Sequence, residues 1–205
     1  MAFLTDADRE RIADAVTAAE TKTTGEFVTV LAREADDYMY IPTLVAAAIV
    51  FLISGIVLLA PIELYATDFF AGQLAGLIVL TLLFRWPPLK MRLVPRTVRH
   101  ERARRLAHQM FLDLGLSSTR ERTGVMLFVA VGERYVEILA DRGVHEHVDN
   151  AEWERIVADF AAQVKSGRIT DGFIGAIDAC TDIMAKHFPG NPDDTNELPN
   201  RLVEI

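Results

Sequence analysis

The stretch ADRGVHEHVD, residues 140–149, holds the densest set of groups in this chain that could do chemistry. Asp141 follows an alternating run, YVEILA, that reads as a strand, and strand ends are where α/β sheets place ligands. Gly143 permits a sharp turn just after it. His145 and His147 are two apart and share a face if the backbone is extended. With Asp141 and Asp149 they form a mixed imidazole and carboxylate set suited to a transition metal. The alternative is a solvated loop whose histidines happen to alternate.

Other groups offer less. Glu34, Asp36 and Asp37 are carboxylates after a first strand, a donor type that suits hard cations, or else a solvated cuff ahead of an apolar run. A Gly-rich phosphate loop, G-x-S-x-G and H-E-x-x-H are all missing from the sequence. A phosphatase needs a metal cluster or a nucleophile with a positioned acid, and Asp141 with Arg142 is the pair to test. Cys180 is the single cysteine, so the chain has no internal disulfide and no cysteine-only metal site. Its near neighbours Asp178 and Asp182 are acidic, which favours an inert buried thiol.

The elements that must position these groups are interrupted by two apolar runs. Residues 41–60 carry no charge and match the ~20 residues that cross a bilayer core as a helix. Residues 69–86 form a second run, with Arg85 at its end, where a long stem can snorkel. The loop PIELYATD between them is too short for a domain, so the pair reads as a helical hairpin. Tyr38, Tyr40 and Trp86 mark one interface and Tyr65 the other. The connecting loop has no Lys or Arg, whereas Arg85, Lys90, Arg92, Arg96, Arg99, Arg102, Arg104 and Arg105 follow the second run. The positive-inside rule then puts both termini in the cytoplasm of a cell (inner) membrane protein. The opening MAFLTDADRE lacks the pattern of a secretory signal, in keeping with that orientation. Lys90, Arg92, Arg96 and Arg99 are expected to contact lipid headgroups. Gly72 and Gly76, four apart, are expected to pack helices, within the hairpin or in a homodimer.

The flanking sequence reads as a small sheet domain. Thr5 to Asp8 resembles a capping box opening a helix to about Glu20 with Ile12, Val16 and Ala19 inward. EFVTVLA, from Glu26 to about Ala32, alternates as a strand. A long helix is expected from Pro95 to about Leu114. Gly124 to Val131 reads as a central strand and Tyr135 to about Asp141 as a third. Asp149 or Asn150 caps a helix containing Trp153, Ile156 and Phe160. Thr170 or Asp171 caps a last one, to about His187. The expected divisions are 1–36 for the first helix and strand, 37–86 for the hairpin, 87–188 for the rest of the domain and 189–205 for a polar tail. The fold class is α/β: a small sheet sandwiched by helices and interrupted by a two-helix transmembrane insertion. A net charge of −8 implies no general affinity for nucleic acid, and 51% hydrophobic residues is high for a purely soluble chain.

Thr24-Gly25-Glu26, the apolar Val125–Val131, Glu133-Arg134, Val136-Glu137-Ile138, Gly143 and Gly172 recur in an order and spacing that resembles the TPM-domain family. The resemblance implies an α/β sandwich. It also implies relatives linked to photosystem repair, and bacterial membrane proteins, some with acid phosphatase activity or calcium binding attributed to them. LemA-type membrane proteins are partners by the same association. The expected function is a non-catalytic adaptor or stabiliser of membrane protein assemblies, in contact with the lipid bilayer. The alternatives are a metal-dependent, acid phosphatase-like hydrolase and a small domain binding a divalent cation.

Overall fold

The computed structural model describes residues 4–61, 63–191 and 196–205. The first three residues of the opening segment, Ile62 of the inter-span loop and residues 192–195 of the tail lie outside these. The chain divides into two compact units, Met1–Ala35 with Ala103–Ile205, and Asp36–Arg102.

In the first unit Thr5 caps helix α1 (Asp6–Glu20). Thr5 Oγ1 accepts the Asp8 N–H at 3.2 Å and Asp8 Oδ2 accepts the Thr5 N–H at 3.0 Å, a reciprocal capping box. The Thr5 hydroxyl, then the Thr5 N–H, then Thr170 hold the Asp8 carboxyl below its ordinary pKa. Ile12, Val16 and Ala19 form the buried face of the helix.

Strand β1 (Phe27–Ala32) pairs in parallel with β2 (Val125–Ala130), which pairs antiparallel with β3 (Tyr135–Ala140). A short β4 (Leu202–Glu204) lies parallel to β1 on its other side, so the order is β3-β2-β1-β4. β1 and β2 are buried at every position because both faces of the sheet are covered. Phe27, Leu31, Val125, Leu127 and Val129 face a core containing Ile12, Trp153, Ile156, Phe160, Phe173 and Ile177. Val28, Val30, Ala32, Met126, Phe128 and Ala130 face the other, with Ala103, Ala107 and Leu116. Alternation along each strand sends neighbours to opposite cores.

Ala103 and Ala107 belong to the long helix α5 (Arg96–Asp113), which begins one residue after the expected Pro95. The polar turn Gly132-Glu133-Arg134 joins β2 to β3, with Arg134 at φ 54°. Its Glu133 is 1% exposed and accepts the Ala35 N–H at 2.9 Å, fixing the chain as it leaves β1.

Two sequence expectations need correction here. Within the expected polar tail, residues 189–205, Leu202–Glu204 forms β4. The pairing is reinforced where Arg33 N donates to Ile205 O at 2.8 Å and Ile205 N to Leu31 O at 3.1 Å. The last helix, α8 (Ile169–His187), has Arg168 at its N-cap and no side-chain cap. Thr170 instead donates to Asp8 Oδ1 at 2.9 Å, and Asp171 pairs with Arg11 at 3.2 Å, so both residues tie α8 to α1.

The second unit contains α2 (Tyr40–Leu59), α3 (Ala66–Phe84) and α4 (Pro87–Leu93). α2 and α3 are long and apolar enough to cross a membrane. None of the most apolar window of α3 and only 17% of that of α2 is buried within the protein. The two helices start one and three residues before the expected spans. The second ends before Trp86, because Trp86 caps α4. The Pro87-Pro88 pair starts this short helix: proline is well suited to a first turn, whose N–H groups have no helical partner.

Candidate functional site

β1 and β2 begin, and β3 ends, at one end of the sheet. Asp141 follows β3 there and caps α6 (Arg142–His145), a single turn. It is 8% exposed. Its Oδ1 accepts the Arg142 N–H at 2.7 Å, and its Oδ2 is buried with no hydrogen bond among the described residues. Asp141 N donates to Gly124 O at 2.8 Å, which continues the β2–β3 ladder by one step. The adjoining loops are tied together by Thr24 Oγ1, which donates to Glu121 Oε2 at 3.1 Å, and by Thr123 Oγ1, which donates to Thr24 O at 3.2 Å.

Gly143 is needed here for proximity rather than for a turn. It lies in α6 with no positive φ, and a Cβ on it would stand 2.6 Å from Arg122 O and 3.0 Å from Glu121 O.

The proposed metal ligands do not converge. The sharing of a face by His145 and His147 assumed extended backbone. The chain is helical over Arg142–His145 and Glu146, the C-cap, keeps right-handed helical backbone, so the segment between the two histidines is not extended. His145 lines a groove with His108 and Trp153. His147 turns the other way, with Nδ1 2.9 Å from Gly143 O and its ring 5.4 Å from that of Phe188. Asp149 caps α7 (Asn150–Lys165), accepting the Ala151 N–H at 3.2 Å. Among the described residues no group of three or more His, Cys, Asp or Glu side chains could hold a metal ion. The single unbonded oxygen of Asp141 also does not fit calcium, which takes six to eight oxygen ligands.

The Asp141–Arg142 pair is likewise divided: Arg142 Nε donates to Glu146 Oε1 at 3.0 Å while Asp141 caps the helix. Asp36 pairs with Arg102 at 3.3 Å, and Asp37 Oδ1 accepts the Met39 N–H at 3.1 Å, so both serve local structure. A hydrogen bond that Arg102 donates to the Tyr40 side chain, and after it the charge of Asp36, raise the Arg102 pKa. Cys180 is fully buried, and burial pushes its thiol up to about 12.

In the hairpin unit, Gly76 faces Val50 Cγ2, 3.6 Å from where a Cβ would stand, and Gly72 meets open space. A Cβ at either position would fit without displacing a neighbour, so the approach of α2 and α3 does not depend on glycine at these positions. Sequence reasoning missed the polar contact beside them: Gln73 Nε2 donates to Ser54 Oγ at 2.8 Å. The signal was an amide placed inside an apolar run. Lys90, Arg92, Arg96 and Arg99 lie on α4 and the first turn of α5. Residues 69–100 contain no Asp or Glu, so this segment is cationic in a chain of net charge −8.

Glu26 also went unsingled as a structural anchor. It is 5% exposed and accepts the Glu197 N–H at 2.8 Å and the Leu198 N–H at 3.3 Å. The Glu of the Thr-Gly-Glu pattern thereby holds the segment that leads into β4.

These features define an α/β domain whose sheet is assembled from both sides of a helical insertion. Residues 90–183 match the family model described as TPM domain, and the resemblance read from the sequence holds over that stretch. The matched stretch contains β2 and β3 but not β1, their neighbour in the sheet, which lies before the insertion. One solved structure, the NMR structure of BA42 protein from the psychrophilic bacterium Bizionia argentinensis, aligns over 100% of this chain and 97% of that one. Its TM-score is 0.61 and its identity 22%, a likeness of fold. No curated protein matches the chain.

Proposed function

We propose that this chain is a membrane-anchored TPM-domain protein whose α/β domain lies on the cytoplasmic side and serves as a non-catalytic adaptor or stabiliser of membrane protein assemblies. One observation carries the membrane reading. The two apolar helices leave Phe51, Leu58 and Leu59 at 81%, 72% and 89% exposure. An apolar surface of this extent is unstable in water and at home in hydrocarbon. The loop between the helices has no Lys or Arg, and Arg85, Lys90, Arg92, Arg96 and Arg99 follow the second helix. That bias orients both termini inward. Lys90, Arg92, Arg96 and Arg99 then stand at the headgroup level of an anionic leaflet, an attraction of ~1 kcal/mol for each.

Two measurements test the reading. Cysteines placed at Glu63 and Asn191 should label oppositely with an impermeant thiol reagent in intact cells. The buried Cys180 leaves the background low. Label on Asn191 from outside overturns the orientation. For the adaptor role, crosslinking and pull-down from native membranes should recover a membrane protein partner, while a phosphatase assay of the same preparation should stay at background. Turnover that copurifies with the chain sinks the non-catalytic reading.

A further inference from the structure

The segment that leaves α3 gathers cations that the protein leaves largely without partners. Arg85, Lys90, Arg92, Arg96 and Arg99 follow one another with no Asp or Glu between them. Val94, 1% exposed, pins the short joint between α4 and α5, with Arg92 two residues before it and Arg96 two after. Arg96 and Arg99 are three apart on α5 and so share a face of it.

The acids of the hairpin unit are engaged or distant. Asp36 pairs with Arg102 at 3.3 Å, and Asp37 accepts the Met39 N–H at 3.1 Å. Glu101 and Lys90 each have a partner. Glu63 and Asp68 lie where the chain passes from α2 to α3, at the far end of the two helices. The side chains of Arg92, Arg96 and Arg99 make no hydrogen bond or ion pair among the described residues. Arg99 is the one held in place. It is half-buried, and its Nε is closed off from solvent, so the stem and Nε are packed and the two Nη groups form the open end. A guanidinium fixed in this way ordinarily meets a carboxylate or a phosphate through its fork. The first turn of α5 holds no acidic residue, and the helix dipole disfavours cations there, so these arginines stand at a cost that an anion would relieve.

We propose that Arg99, with Arg96 and Arg92 beside it, binds the phosphate of one anionic phospholipid of the bilayer as a discrete site. The inference rests on the membrane reading and deepens it. A general attraction to an anionic surface needs only charge, whereas a site needs the fork of Arg99. Two phosphate oxygens can accept two parallel N–H bonds from that fork. Any phosphate oxyanion has this chemistry, but the position favours a lipid. Trp86, 65% exposed, stands at the end of α3 as an interfacial residue does, with Arg85 before it and the other cations after it. An anionic lipid also carries no amine of its own to compete with arginine for its phosphate.

The test uses the full chain, released from nanodiscs into native mass spectrometry. From discs of equal phosphatidylglycerol and phosphatidylcholine, one phosphatidylglycerol per chain should stay bound. Arg99→Lys keeps the charge and loses the fork, and should bind that lipid about tenfold more weakly, as the loss of one charge-assisted hydrogen bond implies. Arg85→Lys, the same exchange at an exposed position, should change binding less than about twofold. Equal binding by wild type and Arg99→Lys overturns the site and leaves only diffuse attraction. If Arg99→Lys does not fold, the wild type decides: equal retention of the two lipids overturns the proposal. In phosphatidylcholine discs with inorganic phosphate in the buffer, no phosphate should be carried. Phosphate held there and lost in Arg99→Lys overturns the lipid as its source. If no lipid is held while thiol labelling at Glu63 and Asn191 keeps both termini inside, the membrane reading stands and the site falls. If the labelling reverses but lipid is held through Arg99, the orientation fails and the site remains.

Discussion

Gln73 on α3 donates to Ser54 on α2 across 2.8 Å, and Ser54 passes the bond on to Val50 O at 2.8 Å. The relay joins two polar side chains in the middle of mostly apolar helices. Its loss should be asymmetric. Gln73→Leu removes the amide altogether and should cost at most about 1 kcal/mol in a bilayer. Ser54→Ala leaves the amide without its acceptor and should cost more than Gln73→Leu. Unfolding of the hairpin by steric trapping in lipid would read the order, and equal costs would show that the bond is not formed there.

Glu26 should behave as a clasp on the C-terminal segment. Its carboxylate accepts two backbone N–H groups, from Glu197 and Leu198. Charge-assisted bonds of this kind are worth about 1.5–3 kcal/mol each. Glu26→Gln keeps the shape and removes the charge. The expected outcome is faster amide exchange at Val203 and Ile205, with β2 and β3 little changed. Exchange that rises equally across the sheet would mean that Glu26 supports the core and not β4 in particular.

Two glycines make a controlled pair. Gly143→Ala drives a Cβ onto the Arg122 and Glu121 carbonyls and should destabilise by roughly 1–3 kcal/mol through overpacking. Gly175, inside α8, has nothing within 4 Å of a built Cβ. Gly175→Ala should stabilise by about 0.5–1 kcal/mol through helix propensity. Thermal unfolding of both variants measures the contrast. A neutral Gly143→Ala would show that the loop at 121–122 moves aside freely.

Cys180 predicts an alkaline limb in stability. Its thiol is pushed up to about 12 by burial from an ordinary value of 9.0. The folded state holds the proton where the unfolded state has lost it, so the contribution is intact below about pH 9 and is lost as pH rises from there toward 12. Cys180→Ala should flatten that part of a stability-against-pH curve. An impermeant thiol reagent at neutral pH should react after denaturation but not before. Rapid labelling of the native protein would contradict the burial.

The sequence made the three main strands readable because each carries a strong local signal. β1 alternates with branched side chains, β2 is apolar throughout because both its faces are covered, and β3 follows a polar turn. β4 has three residues and no pattern of its own; it exists because Thr29, Val30 and Leu31 offer a parallel edge to it. The histidine loop failed for a different reason. Two histidines at alternate positions invite an extended reading, but Asp141 at a strand end is also an N-cap, and it turns the chain into a helix before His145. The Gln73–Ser54 contact had its residue types in view, but its register depends on how two helices meet.

The order of elements along the chain has a consequence for synthesis. β1 leaves the ribosome early, and its partner β2 follows almost a hundred residues later, after both apolar helices. β4 comes last of all. The first strand must therefore wait with both edges open until the two apolar helices have been made. Chaperone demand should peak in that interval, when a sticky strand has nothing yet made to pair with it.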